Sequence, residues 1–232
     1  MDAKNETANE MPDEALARAG RRSPQPLEPR TDEVFHSHLE DPLARFAALL
    51  ELARENPHHR EPTAMALSTV DTDGRLSSRI VLLKAADAHG LTFFTNLDSR
   101  KGKAIASHPG VALLFHWQPL EVQVRIEGAA LQVADAEADA YFATRPRQSQ
   151  LGAWASHQSA PLASREELLA RLADLVERFA DQSVPRPPGW SGYRVAPLAI
   201  EFWRNQESRL HERELYTRAN AGAPWGRTLL NP

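Results

Sequence analysis

The 232-residue sequence contains no cysteine. This absence excludes disulfide bonds, thiolate nucleophiles and cysteine-ligated metal centres, so redox chemistry would require a bound cofactor. The sequence also lacks a run of about 18 apolar residues, which a membrane-spanning helix needs, and its polar N-terminus lacks the apolar segment of a signal peptide. The net charge of −4 provides no overall basic field for nucleic acid or anionic membrane. We therefore expect a soluble, cytoplasmic protein in which any anion site is local.

The composition is typical of a chain that buries a core, with 42% hydrophobic and 25% charged residues. Residues 1–38 are polar and proline-containing with little apolar periodicity, so they are predicted to be a mostly disordered tail. Residues 39–232 are predicted to form the folded domain. It begins near Asp41 with a helix that stops at Asn56 and Pro57.

An alternation of apolar and polar residues from Thr63 onward predicts a mainly β protein. Turns that contain Asp-Gly or His-Gly join the first strands, and helical segments are inserted between later ones. About seven or eight strands are expected, without a regular strand–helix–strand rhythm. The sequence therefore favours an antiparallel barrel with helical insertions over a doubly wound parallel sheet.

No metal site is predicted. The pairs His36/His38 and His58/His59 lie in predicted loops without a carboxylate or a third ligand at a suitable spacing. The DTDG segment at residues 71–74 is too short for an EF-hand loop and has Leu82 where the closing glutamate would be, so it is interpreted as a hairpin turn.

The segment SRKGKAIASHP predicts a helix whose first turn attracts an anion. Ser99 is placed to cap this helix, but Arg100 and Lys101 oppose the helix dipole in the same turn. A bound phosphate would resolve the conflict, because free backbone N–H groups and both cations would face it. The alternative is an exposed basic turn without a ligand.

Two further groups of basic residues are candidates. Arg79 and Lys84 are an odd number of residues apart, so on an ideal strand they lie on opposite faces. Either a bulge intervenes or they serve different ligand groups.

Tyr141 and Arg145 lie one turn apart at the end of a predicted helix, with Ser149 just beyond. This group indicates either a second phosphate site or a surface Tyr–Arg contact.

The segment RLHER follows AIEFW, which is predicted to be a strand. If that strand continues, Arg209, His211 and Arg213 share one face. Cationic groups at this spacing repel each other unless an anionic or electron-rich group lies against them. This face is therefore a third candidate binding surface.

These motifs, in their order and at their separations, resemble the pyridoxamine 5′-phosphate oxidase family over residues 41–232. The segments that carry the resemblance are RIVLLK, FFTNLDSRK, QVRIEG, YFATRPRQSQLGAWAS, HQS, SGYRV, IEFW, RLHER and the terminal WGRTLLNP. The resemblance implies an FMN-binding split β-barrel in residues 39–232. It also implies a homodimer with FMN at the interface.

The resemblance also implies a set of site residues. The implied FMN contacts are Arg79, Ile80, Val81, Leu82, Leu83, Lys84, Phe94, Thr95, Arg100, Lys101, Gln123, Gln158, Ser159, Trp203 and Arg213. The implied grip on the substrate phosphate consists of Lys84, Tyr141, Arg145 and Ser149. Arg209 and His211 are the implied catalytic residues, and both are expected to lie over the pyridine ring of the substrate.

The implied reaction removes a hydride equivalent from C4′ of pyridoxamine 5′-phosphate or pyridoxine 5′-phosphate. Its product is pyridoxal 5′-phosphate, so the implied role is in vitamin B6 biosynthesis. Dioxygen reoxidises the flavin and yields hydrogen peroxide, and the amine substrate also releases ammonia. The flavin would carry the electrons while the protein positions and polarises the reactants.

The sequence departs from the family pattern at several positions. Val122 and Phe94 replace a common arginine and a common tyrosine, EFWRNQ replaces the usual EFWQGR, and an N-terminal Arg-x-x-Tyr element is missing. Two alternatives remain. A phenazine-pathway FMN oxidase of the same fold should lack the phosphate-binding set, and a non-catalytic split-barrel module for flavin or haem would need neither RLHER nor RPRQSQ.

Overall fold

The computed structural model describes residues 29–37 and 40–232. The helices in these residues are α1 (Pro29–Phe35), α2 (Pro42–Glu55), α3 (Arg100–Ser107), α4 (Asp135–Thr144), α5 (Arg147–Ala155) and α6 (Arg165–Arg178). The strands are β1 (Ala64–Val70), β2 (Leu76–Leu82), β3 (Ala85–Asp87), β4 (Gly90–Asn96), β5 (Gly110–Trp117), β6 (Val122–Gln132), β7 (Trp190–Arg204), β8 (Glu212–Thr217) and β9 (Gly226–Leu229). Short 3₁₀ turns cover Gln118–Leu120 and Glu207–Arg209.

The nine strands form one antiparallel sheet in the order β2-β1-β5-β6-β7-β4-β3, with β8 on β7 and β9 on β8. The long strand β7 organises it. One edge of β7 pairs with β6, while its other edge pairs first with β4 and then with β8. The prediction of an antiparallel sheet with helical insertions is confirmed.

Helix α2 closes the main core as its apolar spacing predicts. Asp41 caps it by accepting a hydrogen bond from the backbone N–H of Leu43 at 2.9 Å, and Pro42 occupies the first turn. Phe46 is fully buried against Phe115. A second, smaller cluster joins α4, α5, α6 and the start of β7 through Phe142, Leu151, Phe179, Val184 and Trp190.

Helix α1 lies inside the segment that was predicted to be a mostly disordered tail, so that prediction is wrong for residues 29–35. Phe35 is fully buried, and the guanidinium groups of Arg45 and Arg204 lie 4.6 Å and 5.5 Å from its ring centre. One buried aromatic anchor is too short a signal to produce a helical periodicity in the sequence. The rest of the predicted tail, including His38 and the region of the missing Arg-x-x-Tyr element, lies outside the described residues.

The segment RLHER does not form a continuous strand, so the prediction of one shared cationic strand face is wrong. Strand β8 pairs antiparallel with β7, with Arg204 opposite Glu212, and the chain must therefore reverse between them. Ser208 and Arg209 make the reversal with φ values of 56° and 62°. Arg209 and His211 lie in this loop, and only Arg213 lies on β8.

The DTDG segment forms the predicted hairpin turn. The backbone N–H of Gly74 donates to the carbonyl oxygen of Asp71 at 2.9 Å, and Gly74 has a φ of 80° that favours glycine.

Within residues 29–37 and 40–232, no group of three or more potential ligand side chains could hold a metal ion. None of the helices in these ranges combines the length and apolar character needed to cross a bilayer.

Candidate active site

A cavity of about 700 Å³ opens between strands β2 and β4 and helices α4 and α5. This volume is within the range of sites for small ligands and cofactors. Three cationic side chains line it, from Lys84, Lys101 and Arg145, and its described lining contains no aspartate or glutamate. A cavity with several cations and no lining carboxylate is suited to anionic ligands.

The cavity brings together residues from two predicted sets, the FMN contacts and the phosphate grip. The predicted residues that line it are Ile80, Val81, Leu82, Lys84, Phe94, Thr95, Lys101, Tyr141, Arg145, Ser149 and Gln158. The lining residues that were not predicted are Asn96, Thr144, Pro146, Gly152, Ala153, Ser156 and Trp190. Gly152, Ala153 and Ser156 follow Ser149 at helical spacing, so the face of α5 could have been extended from the sequence.

Among the residues that the structure describes, the hydrogen-bond acceptors of the Lys101 ammonium group are all neutral oxygens. Ser99 caps α3 by accepting from the backbone N–H of Gly102 at 3.2 Å, as predicted. The Lys101 Nζ donates to Gln158 Oε1 at 2.7 Å, Thr95 Oγ1 at 3.0 Å and Ser99 Oγ at 3.3 Å. Burial, together with the nearby charge of Arg79, lowers the pKa of Lys101 to about 8. A bound phosphate would supply the missing negative charge.

Arg79, Arg100 and Leu83 do not line the cavity. Arg100 turns toward Asp71, which accepts hydrogen bonds from its Nε at 2.9 Å and its Nη2 at 2.5 Å, and this pairing raises the pKa of Arg100. Arg79 Nη1 donates to the carbonyl oxygen of Leu67 at 2.9 Å, and burial lowers the pKa of Arg79. Leu83 packs in the main core. The predicted anion-binding turn comprises residues 99–101, and of these three residues Lys101 alone lines the cavity.

Arg145 is a half-buried cation at the C-terminal end of α4. Its backbone is extended because proline follows, with φ −72° and ψ 146°. The guanidinium lies 4.9 Å from the ring centre of Trp190, and its buried Nη1 has no hydrogen-bond partner in the described part of the chain. Burial lowers the pKa of Arg145 and raises that of Tyr141, which also lines the cavity. An unpartnered buried donor is costly, so an anion bound here would be stabilising.

A stack of aromatic rings supports this part of the cavity. The ring centre of Phe94 lies 4.0 Å from that of Tyr141 and 5.4 Å from that of Trp190, with nearly parallel planes. Gly192 pairs with Phe94 across the strands, and a Cβ at Gly192 would lie 2.7 Å from the phenyl ring. Any side chain at Gly192 would therefore displace Phe94 and disturb the stack that holds Tyr141.

The other predicted site residues form a second cluster outside the cavity. Gln123, Trp203 and Arg213 are cross-strand neighbours on β6, β7 and β8. The His211 ring centre lies 4.6 Å from that of Trp203, and Arg209 is exposed in the adjoining loop. Arg213 Nε donates to Glu201 Oε1 at 2.8 Å, which raises the pKa of Arg213. Ser159 follows Gln158 with a φ of 70° and does not line the cavity either.

The two clusters lie toward opposite ends of β7. Gly192 pairs with Phe94 at the cavity, and Trp203 lies eleven residues further along the same strand. This separation corresponds to roughly 35 Å of extended strand. One copy of the chain thus presents two sets of predicted site residues that do not meet within it.

Comparison with known proteins identifies the family. A family model described as "Pyridoxamine 5'-phosphate oxidase" matches residues 53–204. The chain belongs to this family. A second model, "Pyridoxine 5'-phosphate oxidase C-terminal dimerisation region", matches residues 190–232, which contain most of the second cluster. The predicted membership of the pyridoxamine 5′-phosphate oxidase family, and with it the prediction of an oxidoreductase, is confirmed.

Individual relatives agree with this membership. The pyridoxine/pyridoxamine 5′-phosphate oxidase of Myxococcus xanthus (strain DK1622) is 55% identical over 192 residues, covering 83% of this chain and 92% of the relative. The enzyme of that name from Rubrobacter xylanophilus is 54% identical over 192 residues, covering 83% and 87% of the two chains.

Two solved structures establish the fold as a split barrel. PhzG from Burkholderia lata 383, in complex with tetrahydrophenazine-1-carboxylic acid, has a TM-score of 0.76 and 35% identity, and the match covers 89% of this chain and 98% of PhzG. A pyridoxamine 5′-phosphate oxidase-related, FMN-binding protein from Nostoc punctiforme PCC 73102 has a TM-score of 0.65 at 16% identity, covering 82% and 96%. At that identity the second match concerns the fold alone.

Proposed function

We propose that this protein is an FMN-dependent oxidase that converts pyridoxamine 5′-phosphate and pyridoxine 5′-phosphate to pyridoxal 5′-phosphate in vitamin B6 biosynthesis. Dioxygen is the electron acceptor, and the products include hydrogen peroxide and, from the amine, ammonia. The observation that carries the proposal is the cavity lined by Lys84, Lys101 and Arg145, whose described lining includes no carboxylate. Such a cavity has the charge to hold two phosphorylated molecules.

The residues present fit FMN in one part of the cavity. Lys101 would bind the FMN phosphate, since its partners within residues 29–37 and 40–232 are the neutral oxygens of Thr95, Ser99 and Gln158. When bound, FMN supplies hydride acceptance and transfer of electrons to dioxygen. Ile80 and Val81 line the same cavity and offer an apolar wall.

The substrate phosphate is assigned to the other part of the cavity. Arg145 offers an Nη1 that has no partner among the described residues, Lys84 adds a second positive charge, and the hydroxyls of Tyr141 and Ser149 complete the group. A rigidly held phosphate fixes the position of the ring that carries it, which is how binding energy is used for orientation. The aromatic stack around Phe94 keeps Tyr141 in place for this task.

A second copy of the chain would complete the site. The family resemblance implies that Arg209 and His211 lie over the substrate ring, yet both residues lie outside the cavity of their own chain. The matched dimerisation region supports a homodimer. In it, the planar guanidinium of the partner subunit's Arg209 would stack on the pyridine ring, and the partner's His211 would hydrogen-bond the substrate. Arg213, Trp203 and Gln123 would contact FMN from the partner side.

The similarity to PhzG supports a second candidate, an FMN oxidase that acts on a tricyclic phenazine precursor. The structure of that protein contains tetrahydrophenazine-1-carboxylic acid, and the two chains are 35% identical. A carboxylate has two oxygens and one negative charge, so it requires fewer partners than the two cations and two hydroxyls that are assigned to the substrate phosphate. All four line the cavity here, so a phosphorylated vitamer is favoured. The presence of these four side chains, from Lys84, Tyr141, Arg145 and Ser149, also argues against a non-catalytic flavin- or haem-binding module.

The test uses the purified protein loaded with FMN. Under air, pyridoxamine 5′-phosphate should yield aldehyde and peroxide in equal amounts. Arg145→Ala and Arg209→Ala should each lower kcat/KM by about 100-fold while flavin stays bound, because both act on the substrate. Arg75→Ala, in an exposed hairpin turn, is the matched control and should be unchanged. Failure to oxidise either vitamer, or preferential oxidation of tetrahydrophenazine-1-carboxylic acid, would refute the proposal.

A further inference from the structure

The loop of residues 205–211, between β7 and β8, carries Arg209 and His211 but packs loosely. Leu210 is 69% exposed, and Arg209 is exposed as well. Ser208 and Arg209 both adopt positive φ values, a region in which the backbone of residues other than glycine is strained. A strained loop with little apolar burial needs specific hydrogen bonds to keep one conformation.

Hydrogen bonds inside the loop fix its shape. The backbone N–H of Gln206 donates to His211 Nδ1 at 3.2 Å, so a neutral His211 carries its proton on Nε2. That nitrogen is then the one that can donate to a substrate. The Gln206 Nε2 donates to Glu212 Oε1 at 2.5 Å, which ties the start of the loop to the first residue of β8.

A second contact ties the loop to helix α1. His36 Nε2 donates to the other oxygen of Glu212, Oε2, at 2.9 Å. His36 follows α1 directly, and α1 is fixed to the sheet by the buried ring of Phe35 and by the 2.6 Å ion pair of Asp32 with Arg204, the last residue of β7. Contacts thus run from the core through α1, His36 and Glu212 to the loop.

We propose that His36 and Glu212 are positioning residues that hold the 205–211 loop, and with it Arg209 and His211, in the conformation that meets the substrate. The inference rests on the proposed function, because the loop matters for catalysis only if Arg209 and His211 contact the substrate. The side chains of His36 and Glu212 are 48% and 37% exposed. A hydrogen-bonded pair this exposed contributes little to global stability, so its effect should be confined to the loop it holds.

The experiment compares single variants with exposed controls in the FMN-loaded protein. His36→Ala and Glu212→Ala each remove the hydrogen bond between His36 and Glu212, which we call the tether. The double variant tests whether the two residues act as one unit. His36→Gln keeps an N–H donor at a similar reach. The matched controls are His89→Ala, in the exposed turn before β4, and Glu127→Ala, in an exposed pair with Arg125. The readouts are kcat and KM with pyridoxamine 5′-phosphate, amide hydrogen exchange of residues 205–211, and Tm.

Each tether variant should lower kcat/KM by about tenfold, the size expected for losing a hydrogen bond to a charged group. The double variant should be no worse than Glu212→Ala, which also removes the contact with Gln206, and His36→Gln should recover most of the loss caused by His36→Ala. Exchange of the 205–211 amides should accelerate while Tm stays within about 2 °C of the parent. The controls should match the parent.

The inference is overturned if amide hydrogen exchange of residues 205–211 is unchanged in both tether variants. It is also overturned if a large fall in Tm accounts for the lost activity. The proposed function can fail separately. If the parent protein oxidises neither vitamer, the functional proposal is refuted, whereas faster exchange of the loop amides in the tether variants would still support the tether itself.

Discussion

At the scale of single residues, the charge state of Lys101 is the most informative feature. Its pKa of about 8 results from burial and from repulsion by Arg79. Below that pH the free protein carries a charged lysine that has no carboxylate partner in residues 29–37 and 40–232, which destabilises the free protein and favours anion binding. Above that pH the free lysine is neutral, so binding of a phosphate dianion must also take up a proton.

We therefore expect the affinity for FMN to fall as pH rises from 8 toward 9.5, by up to about tenfold per unit. The quenching of FMN fluorescence by apoprotein measures this directly. Lys101→Met should bind weakly with little pH dependence. Lys103→Met, on the exposed face of the same helix, should keep the parent profile. A pH dependence that persists in Lys101→Met would rule out Lys101 as its source.

Trp190 is a residue that the sequence did not identify, and it should matter for substrate binding. Its ring faces the guanidinium of Arg145 at 4.9 Å. A partly desolvated cation–π contact contributes about 1–2 kcal/mol, so Trp190→Leu should raise the KM for pyridoxamine 5′-phosphate by about tenfold. Trp225→Leu is a matched control, because that ring lies 4.3 Å from Arg218 outside the cavity. Equal effects of the two substitutions would show that the contact has no special role.

At the scale of elements, helix α1 has one buried aromatic side chain, that of Phe35, which anchors it to the sheet. Replacing Phe35 by alanine should lower the free energy of unfolding by about 3–5 kcal/mol, because the fully buried ring would leave a cavity. Urea denaturation measures the loss. Leu169→Ala, at a half-exposed position on α6, should change stability by far less. If Phe35→Ala unfolds at the parent urea concentration, α1 is not anchored as described.

The elements also show where sequence reasoning succeeded. The cap at Ser99 was predicted correctly, because a capping side chain and its helix are adjacent in the chain. The segment RLHER was mispredicted because the reversal between β7 and β8 is set by their pairing, which local alternation does not reveal. Trp190 was missed for a related reason, since it reaches the cavity only through the β4–β7 pairing.

At the scale of the whole molecule, the order of motifs in the sequence predicted the class of fold. It did not predict that the site residues divide into two clusters. The antiparallel sheet follows from alternation and turns. The separation of Gln123, Trp203 and Arg213 from the cavity does not, because it depends on how far β7 runs between its partners β4 and β8. A single implied site thus became two clusters in one chain.

That division leads to a specific expectation for mixed dimers. If Arg145 of one subunit works with Arg209 of the other, a heterodimer of the Arg145→Ala and Arg209→Ala chains contains one intact site and one doubly damaged site. If both arginines work within the same subunit, each site in the heterodimer lacks one of them.

The most direct test of the account is therefore the activity of this heterodimer, purified through two different affinity tags after co-expression and loaded with FMN. We expect about half of the parent rate of pyridoxal 5′-phosphate formation per dimer, although each variant homodimer is nearly inactive. A heterodimer as inactive as the two homodimers would contradict a site built from the opposite clusters of two copies.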